Sequence, residues 1–164
     1  MQSTVLQINI SRGGIPKRPV DQALLTPLGV EGDACAHPGI HGGPQRAVLL
    51  VCSEVIDELI GRGYPLYYGA LGENLTTRGL DRRRMRPRQR YRIGDALVEL
   101  TKVRAPCSAL EVYSPDLPKE IYDQQVKAGN PASPRWGMSG FYGAVVRPGL
   151  VGRHDIITLV DELV

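Results

Sequence analysis

Cys107 stands directly after a proline in Leu97-Val98-Glu99-Leu100-Thr101-Lys102-Val103-Arg104-Ala105-Pro106-Cys107, and no other residue combines type and placement so suggestively. Val98 and Leu100 alternate with Glu99 and Thr101, the two-residue period of a half-buried strand. Pro106 has no N–H for a sheet ladder, so the strand is expected to stop there and deliver Cys107 into a loop. A cysteine thiolate attacks electrophiles and ligates soft metals, and Arg104 supplies a positive charge close by. On placement alone, Cys107 reads equally well as a small buried hydrophobe, the usual fate of a free cysteine.

The second chemical candidate is the loop Gly32–Arg46. Its glycines let backbone amides approach an anionic group, and Arg46 offers a two-pronged donor to phosphate. It has neither a Walker lysine nor G-x-G-x-x-G, so a long structural turn is the competing explanation. Cys35, His37 and His41 in this loop invite a metal reading, but Pro38 and Gly39 break any helix that would align the two histidines. No second ligand pair follows at zinc-finger spacing, so no zinc is expected, and His41 reads as a hydrogen-bonding residue beside a site. Hydrolase chemistry is weakly supported: Gly137-Met138-Ser139-Gly140 lacks the spacing of G-x-S-x-G.

Charge is concentrated rather than spread. Residues 82–92 hold seven arginines and no acid, leaving 13 basic against 17 acidic residues elsewhere in a chain of net charge +3. That argues against a general nucleic-acid-coating surface. The segment itself could touch a polyanion's phosphates, but Tyr91 is its only aromatic for base stacking. A solvated, charged hairpin that opposes edge-to-edge sheet pairing explains it more simply.

The elements that must position these residues follow from pattern. Leu6, Ile8 and Ile10 mark a first strand, and Gln22–Leu28 is a second extended stretch. Ala47–Cys52 is continuously apolar, as in a strand buried on both faces. Ser53 can cap a helix with Val55, Ile56, Leu59 and Ile60 on one face, ended by Gly61 or Gly63. Gly69–Thr77 is a loop entering a short strand, and Arg88–Ile93 with Gly94-Asp95 makes a hairpin with the Cys107 strand. A modest helix is expected in Leu117–Ala128, an extended stretch over Trp136–Val146 and a closing strand at Ile156–Val160. Nineteen glycines and thirteen prolines favour turn-rich β architecture. The expected fold is mainly β: one domain over residues 1–164, a closed β-barrel with a few short helices. Three cysteines without a CxxC pair, and no signal-peptide or membrane-spanning pattern, fit a reducing cytoplasm.

Taken in order, five segments resemble the MOSC domain, named for the C-terminal part of molybdenum cofactor sulfurase. They are Gly29-Val30-Glu31-Gly32-Asp33, His41-Gly42-Gly43-Pro44-Gln45-Arg46-Ala47-Val48, Gly69–Thr77, Ile93–Leu100 and Arg104-Ala105-Pro106-Cys107, with Arg147-Pro148-Gly149 near the end. The resemblance implies a barrel like that of the pyruvate kinase β-barrel domain and a link to molybdenum cofactor (molybdopterin). It implies that Cys107 either ligates molybdenum or carries sulfur as a persulfide. Arg46, Asn74 and Arg104, with the backbone of Gly42 and Gly43 and with His41, would then hold the cofactor. The implied activity is a two-electron reduction of N-hydroxylated compounds. Sulfur carriage is the alternative, and polyanion binding through Arg82–Arg92 a third. Expected partners are a small-molecule substrate and an external electron donor or cysteine desulfurase, with a homodimer allowed. Neither nucleic acid nor membrane is expected. The arginine segment is more basic than the family's usual sequence there.

Overall fold

The computed structural model describes residues 2–34 and 43–161. The chain opens with β1 (Ser3–Ile10), β2 (Arg18–Val20), β3 (Gln22–Thr26) and β4 (Gly29–Val30). A 3-10 turn at Pro44–Arg46 leads into β5 (Val48–Cys52), helix α1 (Ser53–Gly61) and β6 (Leu75–Arg78). A second 3-10 turn, Arg82–Arg84, precedes β7 (Arg90–Ile93) and β8 (Ala96–Val103). After a third at Ser108–Val112 come α2 (Leu117–Glu120), α3 (Gln124–Lys127), β9 (Phe141–Arg147), β10 (Gly149–Gly152) and β11 (Ile156–Asp161).

Seven strands close on themselves in the order β11-β7-β8-β9-β5-β6-β1, and β1 returns to β11 with Ser3 opposite Ile157. Closure leaves these strands without a free edge, the expected mainly-β barrel. β2 pairs onto β1, and β10, β3 and β4 form a separate three-stranded sheet. All five residues of β5 are buried, as the unbroken apolar run requires of a strand covered on both faces. β5 runs parallel to β6, so the chain must cross over between them, and α1 is that crossover. Val55, Ile56 and Leu59 are its buried face. Ile60, expected on that face, is 43% exposed. The hairpin forms as read, with Ile93 opposite Ala96 across Gly94-Asp95 and Arg90 opposite Glu99.

Three further local expectations differ. Cys52, not Ser53, is the residue preceding the first turn of α1, and it makes no side-chain cap. Leu117–Ala128 is two short helices, because the Asp123 carboxylate accepts the Val126 N–H at 2.8 Å and starts a new helix instead of continuing the old one. Trp136–Val146 is extended only from Phe141. Gly137 and Gly140, at φ 77° and 97°, hold the preceding residues in tight turns that a strand cannot contain. Those turns seat Trp136 edge-on against Phe141, with its ring N–H donating to the Met85 carbonyl at 2.9 Å.

Candidate functional site

A cleft of about 230 Å³ opens where the loops after β1 and β4 meet the segments preceding β5 and β6 and the segment following β8. Gly43, Arg46, Asn74, Arg104 and Cys107 all line it, although they lie far apart in the sequence. Gly42 and His41, with Cys35 and His37, lie outside the described residues.

Asp33 organises one wall. Its Oδ1 accepts the Ser11 N–H at 2.8 Å and the Lys17 ammonium at 2.6 Å, and its Oδ2 accepts Asn74 Nδ2 at 3.0 Å. Asn74 in turn accepts the Leu49 N–H on Oδ1 at 3.0 Å, while its own N–H donates to the Leu49 carbonyl at 2.9 Å. The amide of Asn74 is thus engaged within the protein. It ties β5, the start of β6 and the Gly32-Asp33 turn into one rigid floor.

Arg104 is the buried cation of the cleft, only 5% exposed. β8 ends at Val103, but the Arg104 N–H still donates to the Gly140 carbonyl at 2.9 Å, which fixes where its side chain begins. Among the described residues its guanidinium donates to one acceptor, the Ser139 carbonyl at 3.4 Å. A guanidinium carries five N–H donors, and burial without acceptors is costly, so the remaining donors are suited to an anionic group in the cleft. Burial pulls the Arg104 pKa down, while Tyr142, Cys107 and Glu73 oppose that shift through charge. Arg46, half-buried at the rim, lays its guanidinium 5.4 Å over the Tyr142 ring.

Glu73 lies beneath, fully buried between the cleft residues Gly72 and Asn74. Its Oε2 accepts the Gly69 N–H at 2.9 Å and the Thr76 hydroxyl at 2.8 Å, while Oε1 has no partner among the described residues. Burial raises its pKa against the lowering pull of these donors and of Arg104.

Cys107 is a free, partly buried thiol at the start of the Ser108–Val112 turn, in the loop where Pro106 was expected to deliver it. Cys52, by contrast, is buried, and burial pushes its thiol pKa up to about 12. Among the described residues no three His, Cys, Asp or Glu side chains converge to hold a metal ion. The donor set fits molybdenum cofactor: a soft thiol for the metal, a buried cation with a single described acceptor and donors to spare for the phosphate, and Gly43 at φ 102° with open space where a side chain would project.

Asp33, Lys17 and Tyr142 are cleft residues to which the sequence reading assigns no role. Asp33 stood inside a quoted glycine motif, and an acid flanked by glycines was the available signal. Glu73 sits in Leu71-Gly72-Glu73-Asn74-Leu75, where a carboxylate stands between two leucines. Tyr142 carried no signal at all.

A closed barrel with a glycine-lined cleft that holds, among the described residues, the Cys107 thiol and the buried Arg104 defines the class. The MOSC domain model matches residues 37–158, and the chain belongs to that family. It is 31% identical over 157 residues to the Escherichia coli protein YiiM and 32% identical over 153 to Bacillus subtilis YflK, an uncharacterized protein. Each match covers 91% of this chain but 64% of the relative, so the chain spans less than two thirds of their length. The crystal structure of YiiM from Geobacillus stearothermophilus superposes with a TM-score of 0.74 at 27% identity, covering 97% of this chain and 75% of that one.

Proposed function

We propose that the cleft binds molybdenum cofactor with Cys107 as the protein's ligand to the metal, and that the loaded protein reduces N-hydroxylated compounds by two electrons. The observation that carries this reading is the buried Arg104 guanidinium, poor in acceptors, in the same cleft as the free Cys107 thiol. Membership of the MOSC family supports it. When bound, the cofactor supplies reversible two-electron redox chemistry.

The chain's own residues bind and orient. Arg104 and Arg46 would supply positive charge to the cofactor's phosphate, and the Gly43 backbone would allow its close approach. Asn74 and Asp33, both in the cleft lining, are hydrogen-bonded to each other and keep the floor rigid. Overall, R–NHOH takes up two electrons and two protons and yields R–NH2 and water, the protons coming from solvent through the open cleft.

The test is an assay of the protein expressed in a cofactor-producing host, with dithionite as reductant and an N-hydroxylated purine or amidine as substrate. Amine formation by wild type and its loss in Cys107→Ser are expected. Wild-type protein that carries the cofactor but forms no amine overturns the reaction. A second reading, sulfur carriage, is favoured by Cys107 being partly exposed with no second cysteine described beside it. Incubation with a cysteine desulfurase and cysteine would then add one reducible sulfur to Cys107 in the intact mass.

A further inference from the structure

The arginine segment is resolved by the structure into two sets. Arg82, Arg86 and Arg90 are spent inside the protein: Arg82 donates to the Trp136 carbonyl at 2.6 Å, Arg86 stacks 5.6 Å over the Trp136 ring, and Arg90 pairs with Glu99 at 2.9 Å. Arg83, Arg84, Arg88 and Arg92 are exposed, and their side chains have no ion-pair or hydrogen-bond partner among the described residues.

The free set is held on a stiff support. Gln89, 3% exposed, accepts the Arg86 N–H at 2.8 Å and donates to the Arg84 carbonyl at 3.3 Å, stapling the 3-10 turn to the start of β7. Arg92 continues the row along β7 and stands opposite Leu97, which stands opposite the exposed Arg147 of β9. β7, β8 and β9 contain a single acid, Glu99, and Arg90 already neutralises it. This wall reaches the cleft. The Arg88 N–H donates to the Leu100 carbonyl at 2.7 Å, and the next residue, Thr101, donates its hydroxyl to the carbonyl of Gln45, the neighbour of the rim residue Arg46.

We propose that this basic wall docks an acidic one-electron carrier protein, of the flavodoxin or plant-type ferredoxin class, beside the cleft mouth. Charge complementarity selects an acidic partner, and the rigid support lowers the ordering cost of docking. Nucleic acid fits less well, because Tyr91 and Trp136, the aromatics within and against the segment, are buried and offer no stacking platform. The role of the partner rests on the reductase reading above. Each reduced carrier gives up one electron, so two carriers are oxidised for each R–NHOH converted with two protons to R–NH2 and water.

The test uses reduced and oxidised flavodoxin and a plant-type ferredoxin as probes, against wild type and the Arg84→Glu/Arg88→Glu/Arg92→Glu variant. Binding is followed by calorimetry at two salt concentrations, with the melting temperature checking the fold. We expect a complex with one of the two carriers that weakens as salt rises and at least about tenfold weaker binding in the variant. In loaded protein, carrier-driven turnover should fall in the variant while dithionite-driven turnover stays the same. No binding of either carrier to wild type overturns the docking proposal, as does single-stranded DNA binding that the variant loses while carrier binding is unchanged. A wild type that binds carrier but is inactive with dithionite overturns the reductase reading and leaves the docking surface standing.

Discussion

Asn74 and Asp33, 41 residues apart, are joined by a 3.0 Å hydrogen bond from Nδ2 to Oδ2 that locks the cleft floor to its wall. Two motifs that are separate glycine-flanked words in sequence, Glu31-Gly32-Asp33 and Gly72-Glu73-Asn74, become one hydrogen-bonded unit. Asn74→Ala would leave the buried Leu49 N–H without its side-chain acceptor and Asp33 Oδ2 without its Asn74 donor. A loss of about 2–3 kcal/mol is expected for such orphaned groups. Urea denaturation of cofactor-free protein measures it, and a change below about 0.5 kcal/mol, the range of ordinary surface substitutions, would contradict the clamp.

Gly69 couples the Lys17 strap to the Glu73 floor: its N–H meets Glu73 Oε2 and its carbonyl accepts the Lys17 N–H at 3.1 Å. Its φ is +98°, and an added Cβ would collide with the Lys17 carbonyl oxygen. Gly69→Ala should therefore destabilise by about 3 kcal/mol or more. A melting temperature equal to that of wild type would show that the strap gives way freely.

Glu73 predicts a pH effect of definite sign. Burial raises its folded pKa above the ordinary 4.5. Below 4.5 the carboxyl is neutral in both states. Above it the unfolded chain ionises while the folded chain keeps its proton, so stability is lost as pH climbs until the folded group ionises too. Glu73→Gln removes that loss. Its urea midpoint should gain on wild type as pH rises above 4.5, whereas parallel curves would mean the buried carboxyl costs nothing.

The two described cysteines should separate cleanly under alkylation. With its thiol pushed up to about 12, Cys52 should resist iodoacetamide at pH 8 in the folded protein. Cys107, partly exposed in the cleft, should be carbamidomethylated first, as read by peptide mapping. Equal labelling of both would contradict the burial of Cys52.

How much of this was legible follows from what each feature depends on. The barrel was readable because β5 and the β7–β8 hairpin announce themselves by local pattern: a five-residue apolar run and alternation around Gly94-Asp95. Cys107 was readable because a proline marks the end of its strand. The helix break at Asp123 and the turns before Phe141 were missed because they depend on a side-chain cap and on left-handed glycines, whose settings sequence does not print. Asp33 and Lys17 were missed as a pair because a salt bridge between loops 16 residues apart exists only once β1 and β4 are in place. The division of the arginines into pinned and free sets likewise required Trp136 and Glu99 to arrive from distant strands.

The most direct measurement is the molybdenum and pterin content of protein purified from a cofactor-producing host, compared for wild type, Cys107→Ser and Arg104→Met. Wild type should carry molybdenum and pterin at close to equal amounts. Cys107→Ser should lose metal, and Arg104→Met should lose metal and pterin together while keeping its fold by circular dichroism. Wild-type protein free of both, or full loading in both variants, would contradict the assignment of this cleft.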